Sequence, residues 1–299
     1  MSSRSPAVAK VPLWRTLGES IRQVLGDLKA VGRLGWPPFM ILATFAVVWQ
    51  FTYPARLART ISAPGAAAPN VQAAMLLMLF GIVALFIQAF CYNAFMVSWY
   101  RHVLQASGNV RSGGYWPAFW RTLGYYALVL VGFIVSVSVF SFAAGFIAVI
   151  GRNVRTPQTI FPWAAGGTIA VGMIIFFACV ARASLVFPAA AYGHSLSLRS
   201  AWKRMRGNAW RLIAALCLLS AALLAVEAVP TLALNGDAIL SLISGRGVRV
   251  VPQPIPLAIM VSLIAKFILL LFLALSASVT ATFYRELVLG SRDVVDVFA

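Results

Sequence analysis

Acidic side chains are nearly missing from this chain: Asp and Glu number 7 in 299 residues, against 24 Lys and Arg. Catalysis by paired carboxylates, or a hard-cation site needing several, has little to be built from. Histidine is as sparse. His102 and His194 are the only two, and neither has a carboxylate or cysteine at ligand or triad spacing. The three cysteines, Cys91, Cys179 and Cys217, form no CxxC pair, which excludes a disulfide framework and a zinc site; they are expected to be small packing residues. Gly-rich phosphate loops, HExxH and GxSxG are absent as well. No catalytic residue, metal or cofactor is expected, and the chain reads as a non-enzyme.

What the chain has is hydrocarbon. Hydrophobic residues make up 61%, charged residues 10%, and the mean hydropathy is +0.89, far from the composition of soluble globular domains. Six apolar segments run from Trp36 to Tyr53, Val71 to Tyr100, Leu123 to Ile150, Phe161 to Phe187, Trp210 to Leu234 and Ile255 to Phe283. Each approaches or exceeds the roughly 20 residues a helix needs to cross a bilayer. Runs such as Ile264 to Ala274 lack the alternation of a barrel strand. The expected fold is all-α: a polytopic membrane protein of six transmembrane helices with cytoplasmic interfacial amphipathic helices. Residues 1–34 form a cytoplasmic arm, 35–283 the six-helix domain and 284–299 a cytoplasmic tail.

Basic residues alternate in density between loops. Seventeen lie in the arm, the second loop, the fourth region and the tail, whereas the opposite side has Arg56, Arg59, Arg152, Arg155, Arg246 and Arg249. Lys and Arg are retained in the cytoplasm, so both termini are expected there, in the inner membrane of a bacterium. That asymmetry also accounts for the net charge of +17 and a pI near 11. Anionic lipid, not nucleic acid, is the expected partner. Trp36, Trp99, Trp120 and Trp210 fall at expected inner ends and Trp49 and Trp163 near outer ends, as interfacial anchors should. Small residues from Ser62 to Pro69 would suit signal cleavage, but the long arm and long apolar run favour a retained first span.

Leu13, Leu17, Ile21, Val24, Leu28 and Val31 recur at helical spacing opposite Arg15, Glu19, Arg22, Lys29 and Arg33. An amphipathic helix over Leu13 to Leu34 follows, lying in the interface or packed on the protein's own loops. A second begins after Ser197, an apt N-cap. Leu198, Ala201, Trp202 and Met205 share one face and Arg199, Lys203 and Arg206 another. Gly207 suits a left-handed turn past its end, and Asn208 can cap the next span. Gly108, Asn109, Gly113 and Gly114 break the helix before a third approach, Tyr115, Trp116, Phe119 and Trp120. Trp-Arg-Thr-Leu-Gly occurs at Trp14 to Gly18 and again at Trp120 to Gly124, which hints at an internal repeat. The outer loops, such as Gly151 to Pro157 and Asn235 to Pro254, carry no binding domain.

Two charges lie well inside expected spans, Glu227 and Lys266. Each is a functional candidate by default. At ~1.5 Å per residue they lie about 10 and 16 Å from the outer ends, close enough in depth to form an intramembrane charge pair. They either line a polar path or register two helices. Gln88, Asn93, Ser136, Ser138 and Ser141 line a seam or bond between helices, and Gly132, Gly166, Gly167 and Gly172 allow close helix approach.

The stretch from Arg182 to Leu212 contains Arg182, Pro188, Ala201, Trp202, Arg206, Gly207, Asn208 and Trp210. It resembles the polytopic family related to the membrane domain of glycerophosphoryl diester phosphodiesterases, in which an Arg near a span end precedes a Pro, an Ala-Trp helix and Arg-Gly-Asn. The match covers about a tenth of the chain. It implies fold and membrane setting. The separate catalytic barrel of the fused enzymes has no counterpart in these residues, so no phosphodiesterase activity is expected of them.

Two functional readings follow. One is a non-catalytic membrane protein binding anionic lipid, a membrane partner or a second copy of itself, with Arg199, Lys203, Arg204 and Arg206 on headgroup phosphates and Trp202 as anchor. The other is a small permease or export component with a polar path near the fifth and sixth spans, using Glu227, Lys266, Gln88 and Asn93. A membrane-embedded lipid enzyme would need an interfacial cluster of acids or histidines that is missing.

Overall fold

The computed structural model describes residues 10–61, 71–105, 114–153, 160–243 and 255–290. Side chains toward one end of the long helices, including those of Trp49, Trp163 and Glu227, lie outside that set, as do most of the expected outer loops and the segment from Gly108 to Gly113. The described residues are mostly helical, without a strand: α1 Leu13–Gly26, α2 Leu28–Ile61, α3 Val71–Gln105, α4 Tyr115–Asn153, α5 Ile160–Ala183, α6 Val186–Tyr192, α7 Leu198–Arg204, α8 Ala209–Ile243 and α9 Ile255–Tyr284, continued by a π-helical turn, Arg285–Leu289. Six stretches of these are long and apolar enough to cross a membrane: Leu28–Val48, Met78–Gln105, Tyr115–Phe146, Gly166–Tyr192, Ala209–Val226 and Ile259–Leu289. The protein is an all-α polytopic membrane protein. On α4, Leu130, Ile134, Phe142 and Phe146 are exposed, an arrangement suited to lipid and not to water.

Several boundaries differ from expectation, each for a local reason. The arm is not one helix to Leu34. α1 stops at Gly26, and the Asp27 carbonyl accepts from the backbone N–H groups of Ala30 and Val31, so α2 starts afresh at Leu28. It then runs through Pro37 and Pro38, which cannot donate to the carbonyls of Arg33 and Leu34. The fourth span is interrupted at Ser184–Leu185, because Pro188 cannot donate to the Ser184 carbonyl four residues back. Gly193, at φ 87°, ends α6, with His194 and Gly193 donating to the carbonyls of Ala189 and Ala190. The aromatic approach Tyr115 to Trp120 is the first part of α4 itself, and α8 extends past the expected loop start at Asn235 to Ile243.

The chain forms two compact units. Unit 1 takes Met1–Ser20, Tyr100–Leu216 and Val279–Ala299; unit 2 takes Ile21–Trp99 and Cys217–Ser278. In unit 1, α4 packs on α5 and α6, and α5 on α7. Gly132 and Gly172 serve the α4–α5 contact, against Phe176 and Phe140 respectively, whereas among the described residues nothing lies within 4 Å of a β-carbon on Gly166 or Gly167. Phe119, Leu185, Met205, Leu212, Phe283 and Tyr284 form its core. In unit 2 the core holds Leu42, Phe95, Trp99, Leu270 and Ala274. There a β-carbon on Gly35 would stand 3.4 Å from Phe95 and 3.6 Å from Leu270, so glycine lets α2 lie close to its neighbours.

Candidate functional site

Unit 1 gathers the basic ends of several helices. Val11 is held on both sides of its peptide: its N–H donates to Asn208 Oδ1 at 3.0 Å, and its carbonyl accepts from Arg211 Nη1 at 2.7 Å. Asn208 therefore anchors the arm, a long-range role that its place before a span did not reveal. The Tyr100 hydroxyl donates to Thr280 Oγ1 at 3.3 Å, and His194 Nδ1 meets the Tyr284 hydroxyl at 3.0 Å. The exposed charges Arg15, Glu19, Arg285 and Glu286 alternate in sign, with separations of 2.8 Å for Arg15–Glu19, 3.3 Å for Arg15–Glu286 and 3.6 Å for Arg285–Glu19. The hydrogen bond that Arg15 donates to Glu19, then the charges of Glu19 and Glu286, raise the already high pKa of Arg15 further.

On α7 the local chemistry is as the sequence predicts. Ser197 Oγ accepts from the Ser200 N–H at 3.2 Å, and Gly207 adopts φ +85°. The apolar face divides. Ala201 and Met205 are buried, while Leu198 and Trp202, one turn apart, are exposed. Arg199, Lys203 and Arg206 are exposed, Arg206 lying beyond the helix end. Arg204 is half-buried, and its Nη1 donates to the Leu287 carbonyl at 2.8 Å. A cation is well placed on carbonyls at a helix end, so this arginine is engaged within the protein. The Arg182 guanidinium stands 5.0 Å from the Trp202 ring centroid, a cation–π contact worth about 0.5–1 kcal/mol at exposed sites.

Around α1, Thr16, Leu17, Ser20 and Val24 are buried, Arg15 and Arg22 point away from them, and Trp14, Ile21 and Leu25 form a separate apolar stripe, with Trp14 73% and Leu25 61% exposed. One face of α1 is thus packed within the protein and another is left exposed. Of the tryptophans expected as interfacial anchors, Trp36, Trp120 and Trp210 are exposed, as is Trp116. Trp99 is not such an anchor. It is fully buried within unit 2, its Nε1 donating to Ser278 Oγ at 2.9 Å, because a hydroxyl inside the protein satisfies the indole in place of interfacial water. The pentapeptide copies are used alike: Trp14 and Trp120 are exposed, while Thr16 and Thr122 are buried and donate to the carbonyls of Pro12 and Ala118.

Unit 2 contains a cavity of about 710 Å³ bounded by α2, α3 and α9. Lys266, Gln88 and Ser262 line it beside Leu42, Phe45, Ile82 and other apolar residues. Lys266 is half-buried. The expected pair with Glu227 involves a side chain outside the described set. Asn93 is buried on α3, and Ser138 and Ser141 are exposed on α4. Of the cysteines only Cys91 is buried; Cys179 and Cys217 are exposed, so packing does not explain those two. Among the described residues no three His, Cys, Asp or Glu converge as a metal site would require. No protein-family model matches the chain, nor does any curated protein or solved structure compared with it.

Proposed function

We propose that this is a non-catalytic, multi-pass protein of the inner membrane, with both termini cytoplasmic, that binds anionic lipid through the basic face of unit 1. The exposed set Arg199, Lys203 and Arg206 beside exposed Leu198 and Trp202 carries the reading. Apolar groups seat such a helix at the acyl boundary while the cations meet phosphates. Exposed Trp14 on α1 adds a further apolar group in the same unit. Arg204 supports the platform from within instead of contacting lipid.

We also propose kinship with the membrane domain of glycerophosphoryl diester phosphodiesterases, on the sequence resemblance from Arg182 to Leu212 alone; in this protein those residues have roles of their own. Arg182 stacks on Trp202, Gly207 makes the turn, and Asn208 holds the arm.

The test is native mass spectrometry of the full chain after gentle extraction, with Arg199, Lys203 and Arg206 changed together to Gln. At about 1 kcal/mol for each cation near an anionic surface, retention of anionic phospholipid should fall roughly 100-fold at low salt. Unchanged retention in a folded triple variant would sink the proposal.

A further inference from the structure

We infer that Arg182 and Trp202 form a discrete site for one anionic phospholipid on unit 1, in which the Arg182 guanidinium takes the lipid phosphate through two parallel hydrogen bonds. The site rests on the reading of the basic face of unit 1 as a lipid-binding surface, and adds the residue that fixes a single lipid there.

Arg182 lies in the last turn of α5, and α5 packs on α7, whose Trp202 ring centroid stands 5.0 Å from the guanidinium. Stacking on a ring uses one face of the guanidinium and leaves its N–H groups, which lie in the plane of the fork, uncommitted. Among the described residues Arg182 makes this ring contact and no hydrogen bond or ion pair. Arg204 and Arg211, also half-buried in unit 1, are used differently: they donate to the carbonyls of Leu287 and Val11. A half-buried cation whose fork is uncommitted is unfavourable for the protein alone. It is prepared for phosphate, whose oxygens match the fork in pairs.

The surroundings select the ligand. Arg199, three residues before Trp202, is its neighbour on the helix surface, and Lys203 and Arg206 are exposed beside it. No Asp or Glu occurs between Ile160 and Trp210 to balance these charges locally. A net negative headgroup is therefore favoured over a zwitterionic one, whose ammonium the neighbouring cations would repel. Exposed Leu198 and Trp202 seat acyl chains, which a free phosphate lacks, so the occupant is a lipid. Because Arg182 is half-buried, salt screens its pairing less than that of the exposed cations. Lipid on the exposed cations should wash away with salt while the lipid on Arg182 stays.

The experiment loads the full chain in mild detergent with phosphatidylglycerol or, separately, phosphatidylcholine. It is then washed at about 1 M salt, where the Debye length is about 3 Å, and bound lipid is counted by native mass spectrometry. One phosphatidylglycerol per chain is expected, retained at least about tenfold better than phosphatidylcholine and not displaced by millimolar inorganic phosphate. Arg182→Lys keeps the charge but loses the fork and the stack, and should lower retention about tenfold or more. The headgroup comparison uses the unaltered protein and decides even if Arg182→Lys fails to fold. Equal retention of the two lipids, displacement by inorganic phosphate, or full retention in folded Arg182→Lys would each overturn the site. Phosphatidylglycerol bound at low salt, sensitive to the Arg199, Lys203 and Arg206 triple change but absent after the high-salt wash, would overturn it and leave the basic-face reading intact. None bound at either salt would remove both.

Discussion

Units 1 and 2 contain parts of the same long helices but are held together by different chemistry. In unit 1, beside ring packing such as Tyr126 on Phe187, several long-range contacts are polar and end on backbone: Asn208 and Arg211 on Val11, and Arg204 on the Leu287 carbonyl. In unit 2 they include ring and chain packing, Phe45 on Phe80 and the close approach of Gly35 to Phe95 and Leu270. The difference follows from what each surrounds. Helix ends leave backbone groups without helical partners, and side chains must supply them. Mid-helix backbone is already satisfied, so only shape is left to optimise, and imperfect shape leaves a cavity.

The sharpest way to break the comparison is to remove volume from unit 2. Trp99→Ala should cost roughly 3–5 kcal/mol, as large-to-small changes of buried aromatics do, whereas Ser278→Ala should cost about 0.6 kcal/mol, the average for hydrogen bonds inside membrane proteins. Thermal midpoints in one detergent would compare them. A Ser278→Ala loss as large as that of Trp99→Ala would mean that unit 2 also depends on polar ties.

The complementary change in unit 1 keeps volume and removes a partner. Asn208→Leu leaves the buried Val11 N–H without its acceptor, at about 1–3 kcal/mol. It should also release the arm, so that trypsin cuts after Lys10 several times faster, with the rest of the chain unaffected. Protection that persists would show that the Arg211 bond to the Val11 carbonyl is sufficient alone.

These two sites also show what could be read in advance. The six spans, Ser197 as a cap and Gly207 as a turn were legible because they depend on composition and on neighbours within a few residues. The break near Pro188 obeys an equally local rule and was available to the same reading. Trp99 was not. An indole at the end of an apolar run looks the same whether water or Ser278 accepts its N–H, and only the fold brings residue 278 there. Asn208 was noticed for its position but its partner lies 197 residues away. The cavity was hidden for the same reason. Lys266 and Gln88 stand out individually, but their common wall depends on α2, α3 and α9 being neighbours, which hydropathy does not encode.

Glycine offers a comparison of sign. Gly207→Ala forces an alanine into the left-handed region, at a cost of about 1–2 kcal/mol. Gly81→Ala puts a methyl group into open space within a helix and should stabilise by up to about 1 kcal/mol through propensity. Midpoints moving in opposite directions would confirm that unit 1 uses glycine for backbone conformation and unit 2 leaves space at it. A destabilised Gly81→Ala would mean that the cavity wall is closed in the working protein.

The smallest effect should come from the exposed charge network. Arg15 and Glu286 have 63% and 40% of their side-chain surface exposed, and pairs in that setting contribute little because water screens them and ordering two long side chains offsets the attraction. Arg15→Gln and Glu286→Gln should leave the midpoint unchanged at physiological salt and lower it slightly at low salt, where the Debye length is longer. A double-mutant cycle makes the test independent of other contacts made by each residue. Coupling that survives high salt would mean that the network is desolvated in place. Since both residues are open to solvent in the protein alone, the membrane surface would have to be what covers them, and α1 would then sit deeper in the interface than its apolar stripe alone requires.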